Sequence, residues 1–297
     1  MRIILLGRFM IKVPVEMKSV ARNSSVRSAE ISEYLWPENA DSEARRGEAF
    51  DLYLDSISRQ PLPKGKKSRV IKTIDFTGVN YWSRGVLYYS DYLGDQIKLD
   101  LLMDSGKAGV WVKMRSGKNS EENIVKIYAA MKNIVNAYSA ITQSTVEPVS
   151  QPGVFFLEYG AIHLPYKTRE STNARFEGHP LGLKLDIEMT VTHTDEPKDE
   201  GLLARTAAVI ATGYATGIHI DRLRSRKRTV AGFAGEEEVD RMTDSHRTAI
   251  SFGWRYAGKK DSGEYPEIVL RMESPDGDLE EKLKIWDAIL ESMKPMY

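Results

Sequence analysis

Cysteine is absent from all 297 residues, which excludes disulfides, a thiol nucleophile, Fe–S clusters and thiolate zinc sites. Neither sign of charge is in excess, since 42 Lys+Arg balance 42 Asp+Glu. A chain whose main work is binding nucleic acid needs a surplus of Lys and Arg, so that class is set aside. Long apolar runs are missing too. The longest near the N-terminus is Ile3 to Leu6, against the roughly 20 residues of a membrane-spanning helix. It is also shorter than the roughly 7–15 apolar residues of a signal peptide. Stable membrane insertion is therefore not expected, and no signal peptide is visible.

Catalytic signatures are equally scarce. The sequence has no Gly-x-x-x-x-Gly-Lys-Ser/Thr phosphate loop, no Gly-x-Gly dinucleotide fingerprint and no Gly-x-Ser-x-Gly nucleophile elbow. The histidines His163, His179, His193, His219 and His246 never pair at a spacing of two to five, which removes the close ligand pair of a helical or hairpin zinc site. No catalytic residue, cofactor or metal is expected. His193 with Asp195, and His219 with Asp221, would share a strand face and could pair locally; a polar, solvent-facing strand is the plainer reading.

Hydrophobic residues at 41% and charged residues at 28% leave material for a real core, and the length suggests two domains at about 150 residues each. The stretch from Thr142 to Pro152 carries two prolines and no hydrophobic period, so it reads as a linker. Domains are accordingly expected at 1–145 and 151–297. The halves can be laid on each other: Gly109-Val-Trp-Val-Lys-Met-Arg-Ser against Glu267-Ile-Val-Leu-Arg-Met-Glu-Ser, with Met114 falling on Met272, Glu122 on Glu280 and Tyr128 on Trp286. Each half also opens with a short apolar segment closed by proline, Met10–Pro14 and Ala161–Pro165. Internal duplication is the expectation, with chance similarity of two strand–turn–helix units as the alternative.

Local patterns fill in each half. Ile124, Ile127, Met131, Ile134, Val135 and Tyr138 form one helical stripe behind an N-cap at Ser120. Leu279, Leu283, Trp286, Leu290 and Met293 form another, with Asp278 and Glu281 spaced as a capping box and Pro295 as the stop. Earlier helices are expected over Glu43–Ile57, with Ala49, Leu52, Tyr53 and Ile57 on one side, and over Gly201–Ala211. Strands are expected at Val70–Phe76, Ile97–Met103, Thr229–Ala234 and Ile250–Tyr256. This order predicts an α+β fold: two similar domains, each an antiparallel sheet covered on one face by two helices.

Two surface features are candidates for partner binding. Arg222, Arg224, Arg226 and Arg228 alternate and, on a strand, would project on one side as an acidic-partner patch; an exposed hairpin turn is the favoured alternative, because the stretch has no apolar residue to bury. Tyr81-Trp82 and Tyr88-Tyr89 could be exposed aromatic anchors, although core strand positions are the more frequent use. Lys64–Arg69 and Asp195–Glu200 read as solvated loops.

Several segments resemble one family. They are Gly7-Arg-Phe-Met-Ile-Lys-Val-Pro14, Phe155-Phe-Leu-Glu-Tyr-Gly-Ala-Ile162, Leu202-Leu-Ala-Arg205, Val230-Ala-Gly-Phe-Ala-Gly-Glu-Glu237, Phe252-Gly-Trp-Arg-Tyr256 and Leu283-Lys-Ile-Trp-Asp-Ala-Ile-Leu290. They resemble the immunity proteins that neutralise type VI secretion phospholipase effectors, those of the fourth lipase-effector class, most fully over residues 153–297. The resemblance implies a periplasmic, non-catalytic protein, monomeric when free, that clasps its cognate phospholipase between two domains and blocks lid opening or active-site access. On that reading Arg222, Arg224 and Arg226 would lie at the rim of the interface, with Tyr81 and Trp82 as aromatic anchors. The alternative from another class is a small-molecule or lipid carrier built on the same domains.

Overall fold

A computed structural model describes residues 1–37, 41–141, 152–166, 169–194, 201–206, 219–245 and 247–297. In chain order the strands are β1 (Arg2–Leu6), β2 (Phe9–Val13), β3 (Lys18–Val26), β4 (Ala29–Leu35), β5 (Val70–Asp75), β6 (Trp82–Tyr89), β7 (Ile97–Asp104), β8 (Ala108–Ser116) and β9 (Tyr138–Ala140). They continue as β10 (Val154–Phe156), β11 (Gly160–His163), β12 (Ser171–Glu177), β13 (Lys184–Thr190), β14 (His219–Val230), β15 (Phe233–Thr243), β16 (Thr248–Tyr256), β17 (Glu267–Pro275) and β18 (Lys294–Pro295). The helices are α1 (Ser42–Ser58), α2 (Glu121–Ala137), α3 (202–206) and α4 (Leu279–Glu291). The fold is α+β and mostly antiparallel sheet.

The chain divides into two compact units. Unit 1 contains Met1–Asn23 and Tyr166–Tyr297, and unit 2 contains Ser24–Glu147 and Gly153–Pro165. In unit 2 the strand order β3-β4-β8-β7-β6-β5 is antiparallel at every pairing. One face carries Leu99, Leu101, Met103, Val110, Val112 and Met114 against Ile127, Met131, Ile134 and Val135 of α2. The other carries Val86, Tyr88 and Leu102 against Phe50 and Ile57 of α1. The helices therefore cover opposite faces, not the single face expected. Neighbouring residues of a strand point to opposite sides, and Leu101-Leu102-Met103 offers apolar side chains to both. Each such side chain contributes about 1.5–3 kcal/mol when fully buried. Helix α1 begins at Asp41, whose Oδ1 accepts from the N–H of Glu43 and Ala44. Its inner face is set by Phe50 and Ile57, and Leu52, expected inside, is 65% exposed.

Unit 1 has the order β14-β15-β16-β17-β13-β12. Trp286, Ile289 and Leu290 of α4 pack on Leu185, Ile187, Ile250, Phe252, Trp254, Leu270 and Met272. Ser120 caps α2 as expected, accepting from Asn123 N–H. The capping box expected at α4 does not form: Asp278 sits in the left-handed region at φ 49° and makes no side-chain cap bond. That helix also ends at Glu291, four residues before Pro295, which pairs instead with Phe9. Thr229–Ala234, expected as a strand, contains the two-residue turn joining β14 to β15. Of the helix expected over Gly201–Ala211, residues 202–206 are helical and the rest lies outside the described residues, as do Asp195–Glu200 and the expected linker up to residue 151.

The strand orders of the units correspond position by position. Met114 lies on β8 and Met272 on β17, both buried, and the helices that follow carry Tyr128 and Trp286. The ends of the units are exchanged relative to the sequence. Hairpin β1–β2 belongs to unit 1, where β18 pairs with β2 and Ile4, Leu6, Phe9, Ile11 and Val13 join the core. Arg8 Nε and Nη2 donate to Glu170 Oε2 and Oε1, both at 2.7 Å, in a buried bidentate pair. Hairpin β10–β11 belongs to unit 2, where β9 pairs with β11 and Phe155, Leu157 and Ile162 join the core. Tyr159 N–H and the Tyr138 hydroxyl both donate to the Glu33 carboxylate, at 2.7 and 2.9 Å. The compact units thus differ from the partition 1–145 and 151–297, because each sequence half carries the hairpin that completes the other's unit.

Candidate partner-binding surface

The arginine-rich stretch is a strand, β14, and not the exposed turn that its composition favours. It comes first in the described strand order of unit 1, with β15 beside it. A bulge between Arg222 and Arg224 shifts the register, so Arg222 lies opposite Asp240 while Arg224, Arg226 and Arg228 lie opposite Val239, Glu237 and Gly235. An extra residue in one strand inverts which face the following side chains occupy. The four arginines therefore do not share one side.

Glu237 is the hub of the three that do. It is fully buried, and its Oε1 accepts from Arg224 Nη1 at 3.0 Å, Arg228 Nη1 at 3.1 Å and Trp286 Nε1 at 3.0 Å, while Oε2 accepts from Arg226 Nε at 2.7 Å. Asp287 on α4 accepts from Arg224 at 2.8 Å and Arg228 at 2.5 Å, and Glu291 adds a longer contact to Arg228. Burial alone would raise the Glu237 pKa; the bonds from Arg226 and Arg224, the Arg228 charge and the Trp286 bond outweigh it and hold the carboxyl below its usual range. Asp287 is likewise lowered against its burial by Arg224 and Arg228. The network fastens strand to helix. Three cations meet three carboxylates, and the parts left to solvent are chiefly Glu291 and, among the arginines, Arg226, whose side chains are 74% and 50% exposed.

Arg222 works on the opposite face, with Nη2 2.8 Å from Glu238 Oε1 and Nε 3.9 Å from Asp240 Oδ1. Burial, followed by the Glu238 charge, pushes the Asp240 pKa up to about 6 against the pull of Arg222. Further along this face an open groove of about 320 Å³ is lined by Arg175, Asp186, Glu188 and Arg271 among others, and Arg175 makes a bidentate pair with Asp186.

The aromatic candidates lie in unit 2. Tyr81 packs edge-on to Tyr138 with ring centres 5.7 Å apart, and its hydroxyl accepts from Ala140 N–H at 3.3 Å. Trp82 is half-buried beside the α1 core, with the Arg46 guanidinium 4.9 Å over its ring. Tyr88 is buried, its hydroxyl donating to Asp100 at 2.9 Å, and Tyr89 packs against the α2 core. The structure thus brings Arg224 and Arg226 together, separates Arg222 from them, and places Tyr81 and Trp82 in the other unit. His219 Nε2 lies 2.9 Å from Asp221, whereas His193 meets Asp261 at 2.7 Å; Asp195 and His246 lie outside the described residues. Among the described residues no three His, Asp or Glu side chains are grouped to hold a metal.

Glu237, Asp287 and the indole N–H of Trp286 escaped the sequence reading. One signal was available. Across the turn at Ala231-Gly232, an arginine-rich run faces Glu236-Glu237-Glu238 and Asp240, and opposite charges on paired strands are a stabilising pattern.

A family model described as the C-terminal domain of Tle cognate immunity protein 4 matches residues 148–296. No curated protein matches in sequence. Among solved structures, the apo immunity protein TplEi of the T6SS from Pseudomonas aeruginosa is similar with a TM-score of 0.76 at 18% identity, covering 99% of this chain and 96% of that one. The crystal structure of a Tle4–Tli4 complex has the same TM-score and identity over 99% and 97%. TplEi complexed with an "L" peptide follows at 0.71 and 17%, over 99% and 97%.

Proposed function

The chain belongs to the Tle cognate immunity protein 4 family, and from that premise we propose that it binds and inhibits a cognate type VI secretion phospholipase without any catalysis of its own. The observation that carries this reading is the family match through residues 148–296, supported by fold similarity over 99% of the chain to a structure described as a Tle4–Tli4 complex. The site of action on this reading is the periplasm, where an injected lipase meets phospholipid.

Inhibition proceeds by a grip through both units that blocks lid opening or the entrance to the active site. A stable interface buries on the order of 1,600 Å² in total, and two attachment surfaces on one chain raise affinity because the second contact forms at high effective concentration. Arg222 and Arg226 serve at the rim, since they keep the largest exposed share among the candidate arginines, 34% and 50% of their side chains. Arg224 acts indirectly by holding α4 to β14. Tyr81 and Trp82 are half-buried anchors. The corresponding strand orders and the placement of Met114 and Met272 support descent of both units from one duplicated domain.

The test is a pull-down of the full chain with the lipase encoded beside its gene. Co-purification of a one-to-one complex supports the reading, and no retention of that lipase at micromolar concentration rejects it.

A further inference from the structure

Two neighbouring loops of unit 2 carry large apolar side chains into solvent. Leu62 is 51% exposed, Tyr92 65% and Leu93 58%. The loops are tied together by Lys64 N–H donating to Tyr92 C=O at 2.7 Å. Each is internally braced. Lys66 N–H donates to Pro63 C=O at 3.0 Å across a turn, and Ser90 N–H closes the second loop on Gln96 C=O at 3.0 Å. Arg69, buried beneath, donates to the carbonyls of Pro61 and Tyr89. Gly94 holds a positive φ of 73°, the left-handed region that favours glycine, and the Lys66 side chain of the other tip packs against it, since a Cβ there would lie 2.9 Å from Lys66 Cε. The apolar side chains are therefore presented on a firm base.

The charge around them is mainly positive. Lys64 and Lys67 are exposed, and the Lys66 ammonium lies 4.9 Å over the Tyr89 ring. Among the described residues no ion pair occupies these three lysines. The nearby carboxylates are Asp91 and Asp95; Asp91 is engaged by Gln96 N–H at 3.0 Å. Exposed leucines and a tyrosine beside lysines whose long stems can lie along apolar surface are the composition of a protein edge seated in the headgroup region. Lysines close to an anionic leaflet add attraction that salt weakens.

We propose that the paired tips bearing Leu62, Tyr92 and Leu93, with Lys64, Lys66 and Lys67 around them, form a docking surface for an anionic phospholipid bilayer. The contact is shallow and reversible. It holds the protein where any phospholipid-directed partner works, and it stands whether or not that partner is the one proposed above.

The chain's lack of cysteine makes the test clean. Full-length protein with Leu93→Cys, labelled with a polarity-sensitive dye, is titrated with phosphatidylglycerol–phosphatidylethanolamine vesicles and with phosphatidylcholine vesicles, and Leu52→Cys on exposed α1 is labelled as control. The expected result is a blue shift at position 93 on anionic vesicles, weakened several-fold at about 0.5 M salt, with none at position 52. Flotation of unlabelled protein should weaken at least tenfold in Leu62→Asp/Leu93→Asp, with an unchanged circular dichroism spectrum. Equal flotation of parent and variant overturns the proposal, as does a dye at position 93 that ignores both vesicle types. A shift produced by a purified partner protein but not by vesicles assigns the surface to protein docking and overturns it equally.

Discussion

Replacing Glu237 by Gln probes the hub of unit 1 while conserving its shape. The substitution removes the buried negative charge on which Arg224, Arg226, Arg228 and Trp286 converge. Breaking one side of a buried ion pair costs about 3–5 kcal/mol, because the partner charge is left uncompensated. Two features set the expectation at the lower end. Arg226, half-exposed, can turn to water, and Asp287 still accepts from Arg224 and Arg228. We expect a loss of about 3 kcal/mol, or a fall in Tm of about 6–12 °C for a unit of this size. Urea unfolding followed by tryptophan emission reads it, with the m-value as check on the unfolded reference. The pH dependence has a definite sign. A carboxyl with a depressed folded pKa stabilises fully above its unfolded value, about 4.3, and that stability is lost as pH falls through the folded pKa. The difference between parent and Glu237→Gln should therefore be full at pH 7 and shrink below pH 4. A loss under about 1 kcal/mol at pH 7, or a difference that grows on acidification, would refute the hub.

Three further outcomes follow from the fold and the surface. Residues 24–165 contain the whole of unit 2 and should unfold cooperatively on their own, whereas 1–145 lacks Phe155, Leu157 and Ile162 and should show no cooperative melt by circular dichroism. Gly160→Ala should destabilise the 24–165 fragment by about 2 kcal/mol in urea, since the added Cβ would lie 2.3 Å from the Tyr138 ring and displace its hydroxyl from Glu33. Arg222→Ala and Arg226→Ala should slow association with the cognate lipase and flatten its salt dependence, while Tyr81→Ala should mainly speed dissociation, both read by surface-binding kinetics.

What the sequence discloses is what short-range periodicity controls. Strands β8 and β16 and helices α2 and α4 announce themselves, because each buries one continuous face and repeats at 2 or about 3.6 residues, while β7 is legible as a short apolar run, Leu101-Leu102-Met103, buried on both sides. Helix α1 is legible as a helix but not in its orientation: Arg45, Arg46, Glu48, Asp51 and Asp55 crowd it with charge, and only Phe50 and Ile57 are buried. The exchanged hairpins are invisible to any local pattern. Met10–Pro14 and Ala161–Pro165 show that each half opens with a strand, but nothing nearby tells that the first pairs with Lys294 and the second with Tyr138 and Ser139. Strand β14 fails for a related reason. Its stability comes from Glu237 across the turn and from Asp287, 59 residues beyond Arg228, so its own composition looks like a solvated turn. The α+β class and the family resemblance were within reach; the ionic hub that engages three of the four alternating arginines was not.

The central claim is inhibition of a lipase by binding. Its most direct measurement is hydrolysis of phospholipid vesicles by the lipase encoded beside the gene, titrated with the intact protein. The account predicts that activity falls linearly to near zero at one equivalent and that the protein alone releases no fatty acid. Undiminished hydrolysis at tenfold excess, or fatty-acid release by the protein itself, would contradict it.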